Sequence, residues 1–110
     1  MKKTALLLLY IFPFLFTGCK KPPIACMELS TAATTTNTAI EFTSCSEHAI
    51  SYEWFIAGPA AAPENKQGWS DQIFSHAFTE PGSYTVTLNV YSDFSFTGEK
   101  ATTQEKFIIN

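Results

Sequence analysis

Few residues of this 110-residue chain are of types that do chemistry: three cysteines, two histidines, and ten acidic side chains against seven basic ones. The densest run is Ser46-Glu47-His48, a hydroxyl, a carboxylate and an imidazole in a row. Neighbouring residues at a strand end point to different sides, so these three cannot form a relay in which one group activates the next. His48 is expected to sit solvated in an exposed turn beside Glu47, because catalysis or metal binding would need further groups to converge on it. His76 shares its parity with Phe74 and Phe78 and reads as a structural, hydrogen-bonded histidine. There is no glycine-rich phosphate loop, CxxC pair or HExxH helix. Paired carboxylates for glycoside hydrolysis would need a cleft, which a small sandwich rarely offers. The reading is therefore a non-enzyme with no cofactor and no metal site. One side chain suggests binding: Trp69, a large aromatic outside any strand pattern, suits contact with a partner or a sugar ring. The reading preferred for Trp69 is nonetheless a lid packed over the exposed face of a sheet, against Phe55, since loops of this length commonly bury their own aromatic. Trp69 and Phe55 are the candidate binding residues of the other reading.

The elements that would position these groups are strands. Ser83 to Ser92 alternates strictly, with Tyr84, Val86, Leu88 and Val90 on one face and Thr85, Thr87, Asn89 and Tyr91 on the other, the period of a half-buried strand. Pro81-Gly82 before it is a type II turn signal. Further strands are expected near 25–30, 38–45, 50–57, 72–79 and 100–109, separated by turn signals, with the stretch from Gly58 to Asp71 as a long loop. No segment has a helical period. Parity points Met27, Leu29, Ile40, Phe42, Ile50, Tyr52, Trp54, Ile56, Phe74, Phe78, Tyr84, Val86, Leu88, Val90, Phe107 and Ile109 inward. The fold class is all-β, an antiparallel sandwich with the strand after Pro81-Gly82 at its centre.

If the first two strands form a hairpin around Thr31 to Asn37, facing residues have numbers summing to 71, which sets Cys26 opposite Cys45. A disulfide closing that 20-residue loop would contribute about 3 kcal/mol in the chain-entropy model. A metal site or a free redox thiol are the alternatives, and no further ligand types stand at suitable spacing nearby.

Ahead of the domain lies a segment of another kind. Lys2 and Lys3 precede an apolar run from Ala5 to Phe16, twelve residues long, the pattern of a secretory signal and too short for a bilayer span of about 20 residues. Phe16-Thr17-Gly18-Cys19 resembles the lipobox of bacterial lipoproteins, with Phe16 where that family usually has Leu. The resemblance implies cleavage before Cys19, acyl chains such as palmitate on that cysteine, and a mature chain of 92 residues. It also implies a lipid-anchored, extracytoplasmic place in the bacterial cell envelope, with the outer membrane favoured. The organisation expected is a signal peptide over 1–18, a lipidated tether over 19–25 and a domain over 26–110. Pro22-Pro23 favours an extended spacer, and Lys20-Lys21 is read as solvated linker, with anionic headgroups as the alternative contact. The mature net charge of −5 argues against a nucleic-acid partner.

Three blocks carry a further resemblance: Ile40-Glu41-Phe42-Thr43-Ser44, Ser51-Tyr52-Glu53-Trp54, and Ser75-His76-Ala77-Phe78-Thr79-Glu80-Pro81-Gly82-Ser83-Tyr84-Thr85-Val86-Thr87-Leu88. Together they resemble a PKD (polycystic-kidney-disease-type) domain over about residues 26 to 110. The resemblance implies an immunoglobulin-like antiparallel β-sandwich, common in surface proteins and as an accessory module beside hydrolases. Where that family has Trp-Asp-Phe-Gly-Asp-Gly, this chain has Trp54-Phe55-Ile56-Ala57-Gly58-Pro59, without the turn-forming aspartates. Tyr84, two residues after Gly82, is then expected to bond through its hydroxyl to nearby backbone, as in a tyrosine corner. The function expected is a non-catalytic, membrane-tethered module whose distal loops contact protein. A glycan-binding accessory to a separate hydrolase, or a purely structural envelope protein, are the alternatives. Phe94 and Phe96 are expected to pack under their hairpin, with a lipid surface as their alternative contact.

Overall fold

The computed structural model describes residues 21–59 and 67–110, and of residues 67–69 the backbone alone. The segment read as a signal, Cys19 and Lys20 lie outside the described residues, as does the side chain of Trp69. Eight strands follow in order: β1 (Met27–Leu29), β2 (Ala33–Thr34), β3 (Ala39–Ser44), β4 (Ser51–Ala57), β5 (Gln67–Trp69), β6 (Ile73–Ala77), β7 (Gly82–Asp93) and β8 (Thr97–Ile109). They form a three-stranded sheet, β1-β3-β6, and a five-stranded sheet, β2-β8-β7-β4-β5. The alternating stretch, β7, is the central strand of the larger sheet, as its pattern predicts. Every pairing is antiparallel except β2 with β8, which runs parallel through Ala33 opposite Ile108 and Thr34 opposite Ile109.

The core is where parity puts it. Ile40, Phe42, Trp54, Ile56, Phe74, Phe78, Tyr84, Val86, Leu88, Val90, Phe107 and Ile109 are buried together between the sheets, and all twelve belong to the inward set. Aromatic rings dominate: Phe42 stacks on Phe74 at 4.7 Å, Tyr84 on Phe107 at 5.4 Å, and Trp54 meets Phe74 edge-on at 5.2 Å. Such contacts add to simple burial. The polar tips of the two amphipathic rings are satisfied. Trp54 Nε1 donates to the Asp71 carbonyl at 2.8 Å, and the Tyr84 hydroxyl donates to the Glu80 carbonyl at 2.8 Å, the expected corner. Gly58 is needed beneath that ring, since a Cβ there would run into Tyr84.

Four of the inward set are not fully buried. Met27, Leu29 and Tyr52 pack partly against the core, but Ile50 is 46% exposed. Parity assigns a face, not a neighbour, and Ile50 lies one residue before β4, where the sheet ends. Gly82 corrects the turn: its φ is +145°, well beyond the value near +80° of a type II turn. It is already the first residue of β7, opposite Ile109. The expected loop from Gly58 to Asp71 also contains β5, and β2 was not anticipated. Strands of three and two residues display no period to read.

In the first hairpin Met27 faces Ser44, Glu28 faces Thr43 and Leu29 faces Phe42, the register whose numbers sum to 71. One pair further out, Cys26 and Cys45 form a disulfide with their Cα atoms 4.9 Å apart. Ile24 continues the pairing, with its N–H donating to the Glu47 carbonyl at 2.9 Å and the Glu47 N–H returning to Ile24 at 3.0 Å. The chain is therefore joined to the sandwich from Ile24 onward, so the Pro22-Pro23 spacer ends there.

These pairings define two ends. One carries Ile24, the Cys45 to Ile50 turn and the β7–β8 hairpin tip, linked by the Ile50 N–H to the Tyr91 carbonyl and by the Ser51 hydroxyl to the Asp93 carbonyl. The other carries residues 31–38 and 79–81. Between them runs the outer edge of β8, which β2 covers only at Ile108 and Ile109. Along the rest of that edge Glu99, Lys100, Glu105 and Lys106 are exposed, with no strand beside them among the described residues.

Candidate functional site

The outer face of the five-stranded sheet is built from three cross-strand rows. Phe55 lies opposite Thr87, which lies opposite Gln104; Glu53 faces Asn89, which faces Thr102; Ser51 faces Tyr91, which faces Lys100. Each row takes one residue from β4, β7 and β8, because alternation sends these positions away from the core. The middle row is tied together: Asn89 Nδ2 donates to Glu53 Oε1 at 3.3 Å, and the Thr102 hydroxyl donates to Asn89 Oδ1 at 2.7 Å. The Tyr91 hydroxyl donates to the same Glu53 oxygen at 2.9 Å. In the first row Gln104 Nε2 donates to the Thr87 hydroxyl at 2.9 Å. Asn89 is only 8% exposed although it lies on the outer face, so its amide is held by its neighbours rather than by water. Burial, and then the Glu53 carboxylate that accepts its hydrogen bond, pushes the Tyr91 phenol above its ordinary pKa. The result is a flat platform of fixed donors and acceptors with the half-buried Phe55 ring in its first row. It suits hydrogen bonding and stacking, and its one carboxylate is already engaged by two donors.

Of the residues singled out in the sequence, Phe55 is on this platform. Trp69 is in β5, its backbone opposite Trp54, with Gln67 opposite Phe55 across a register shift; the packing expected of its ring falls on a side chain outside the described residues. The Ser46-Glu47-His48 run is structural. The Ser46 hydroxyl accepts from the Cys26 N–H at 3.0 Å and donates to the Cys26 carbonyl at 3.1 Å, bracing the disulfide. His48 is exposed in the turn with φ +58°. His76 packs edge-on against Phe78, ring centres 4.7 Å apart. No three or more His, Cys, Asp or Glu side chains stand where they could hold a metal, among the described residues. Nor does any described helix have the length and apolarity to cross a membrane.

Sequence reasoning missed Glu53, Asn89, Tyr91 and Thr102 as a group. Their signal was present in the outward parity of β7, but it needs the register to β4 and β8 before the residues become neighbours. It also misplaced two rings. Phe94 is 70% exposed and Phe96 45%; neither is packed under the hairpin, and the contact of Phe96 is with Tyr91, ring centres 5.7 Å apart.

No protein-family model matches the chain, and no curated protein matches it. Solved structures do. The PKD1 domain of the Vibrio cholerae metalloprotease PrtV matches with TM-score 0.59 and 21% identity, over 82% of this chain and 99% of that one. The PKD1 domain of Vibrio anguillarum Epp matches with TM-score 0.58 and 24% identity, over 83% and 96%. A structure described as explaining the promiscuous specificity of carbohydrate-binding modules of the β-sandwich superfamily matches with TM-score 0.62 and 18% identity, over 83% of this chain and 35% of that one. The chain thus has the fold of a PKD-type domain, an all-β immunoglobulin-like sandwich.

Proposed function

We propose that the protein, through its lipobox-like Phe16-Thr17-Gly18-Cys19, is a lipoprotein held in the bacterial cell envelope by acyl chains on Cys19, the outer membrane being favoured. Its sandwich acts there as a non-catalytic protein-binding or assembly module. The observation that carries this reading is the polarity of the domain. Ile24, five residues after Cys19, is paired to Glu47, so a lipid at Cys19 would hold that end toward the membrane and turn residues 31–38 and 79–81 outward. The Cys26–Cys45 disulfide supports an extracytoplasmic, oxidising compartment. Ser46, the hydroxyl of the Ser46-Glu47-His48 run, is bonded to Cys26 rather than to a base, which supports a role without catalysis. The test is a photo-crosslinking amino acid at Thr35 or Glu80, at the outward end, and at Lys100, opposite Tyr91 toward the other end, as a reference, in intact cells. A discrete protein adduct from the outward positions alone is expected; adducts equally distributed over all three sink the reading.

A glycan ligand is the second reading, favoured by one observation: Phe55 stands in a row with Thr87 and Gln104, an aromatic face beside hydrogen-bonding groups. Trp69, the other candidate, lies in the neighbouring strand β5. The expected result is retardation in polysaccharide affinity gels that Phe55→Ala removes, and equal mobility of both forms sinks it; Trp69→Ala in the same gels tests Trp69 separately.

A further inference from the structure

Exposed apolar side chains are not spread evenly over the sandwich. Of the six large exposed hydrophobics among the described residues, Ile24, Ile50, Ile73, Phe94 and Phe96 lie toward the end that carries Ile24 and the β7–β8 tip, and Ile108 alone lies toward the other. Phe94 is the most exposed of them, at 70%, and both rings lie in the turn beyond Asp93 and Thr97, the last pair of the hairpin.

The backbone at the tip is unfavourable for these residues. Ser95 and Phe96 both have φ +58°, consecutive left-handed positions of the kind tight hairpins give to Asn and Gly. A bulky side chain at positive φ is a genuine outlier, and strain of this kind is kept where the residue is needed for something other than folding. The turn is otherwise well made, with the Thr97 hydroxyl donating to the Phe94 carbonyl at 2.6 Å and the Phe96 N–H to the Ser51 hydroxyl at 3.2 Å. Only the choice of aromatic side chains, and their exposure, works against the fold.

We infer that the Phe94–Phe96 tip inserts into the surface of the bilayer that carries the acyl chains of Cys19, so that the domain stands on two points rather than swinging on one. This rests on the proposed tether. The chain from Cys19 to the Ile24–Glu47 pairing spans no more than about 18 Å, which keeps the tip within reach of the headgroups. Aromatic rings at a polar–apolar boundary are suited to that depth, and one apolar contact added to a lipid anchor strengthens and orients it. The charged groups at this end are Glu47, Asp93 and Glu99 against Lys21 and Lys100, and Lys20 next to Cys19 in sequence brings the basic side level with the acidic one. The surface this tip fits is therefore zwitterionic lipid, entered through apolar contact and not through attraction to anionic headgroups.

The test uses the full, lipidated chain on phosphatidylcholine vesicles with brominated acyl chains. Trp is placed by Phe94→Trp, by Phe96→Trp and, at the opposite end, by Ala32→Trp. Emission added by the two tip substitutions is expected to be quenched at least twofold more than that of Ala32→Trp, to the same extent when anionic lipid is included. Replacing Ser95-Phe96 with Asn-Gly in the Phe94→Trp chain is expected to raise the thermal midpoint while lowering the quenching, a combination that a purely structural role for Phe96 would not give. Flotation of the unmodified chain with vesicles, lost in Cys19→Ala, reports the tether separately. Failure to float overturns the tether and this inference with it. Flotation with tip quenching no greater than at Ala32, or a tip blue shift that follows protein concentration without lipid, overturns this inference alone and in the latter case assigns the tip to a second copy.

Discussion

Two groups of aromatic residues in this molecule obey opposite rules. Phe42, Trp54, Phe74, Phe78, Tyr84 and Phe107 are buried, in contact with one another, and the polar atoms of Trp54 and Tyr84 reach backbone carbonyls. Phe94 and Phe96 are exposed on a hairpin tip, Phe96 in a backbone conformation that glycine would adopt more cheaply. The first group is what an amino-acid sequence does to make a sandwich; the second costs the sandwich something and must be explained outside it. Residue type alone does not separate structural from functional aromatics. Conformation and exposure do.

That contrast breaks if core aromatics can be removed at no greater cost than tip ones. Trp54→Ala is expected to destabilise by about 3–5 kcal/mol, seen as loss of a cooperative urea transition or a greatly lowered midpoint. Removing the disulfide with Cys26→Ala and Cys45→Ala is expected to cost about 3 kcal/mol, checked by the same titration under non-reducing conditions. Intact mass of the unmodified protein should show no free thiol at these positions. Tyr84→Phe keeps the ring and loses only the bond to the Glu80 carbonyl, so a loss of about 1 kcal/mol is expected. Ser95→Asn with Phe96→Gly should move stability the other way, a gain of roughly 0.5–1 kcal/mol; a loss would return Phe96 to the structural group.

The smallest effect concerns the platform. The Tyr91 phenol has a pKa raised by burial and by Glu53, so its protonated form is favoured in the folded state. The stability this supplies is full below the unfolded tyrosine pKa of about 10 and is lost as pH rises through the higher folded value. Denaturation midpoints of the unmodified protein should therefore fall more steeply above about pH 10 than those of Tyr91→Phe, and parallel curves would count against the Glu53 contact.

How much of this could be read from the sequence follows from the range of each signal. The core was legible because Tyr84, Val86, Leu88 and Val90 announce a face by themselves, and the disulfide because a hairpin sum puts Cys26 opposite Cys45. The type II turn at Pro81-Gly82 and the burial of Ile50 were misread, since both depend on where a strand begins. Glu53 and Thr102 were invisible as partners of Asn89, because they are 36 and 13 residues away from it in the chain, and polar outward positions look alike until strands are paired. Phe94 and Phe96 were read as packed because a sequence gives hydrophobicity but not the length of the sheet above it. The hairpin of β7 and β8, 12 and 13 residues long, extends past strands half that length in the facing sheet.

The edge of β8, bare among the described residues, bears on how many such molecules can share a surface. Two copies meeting edge to edge in antiparallel fashion keep the same face upward, so facing residues must have numbers with an even sum. The two registers centred on Thr102 and Thr103 then set Glu99 against Glu105, or Lys100 against Lys106, and like charges directly opposite repel. A long open strand is ordinarily a template for aggregation. Here the order of four charges disfavours those two registers, which weakens each molecule as a template for its twin and favours separate domains in a crowded layer.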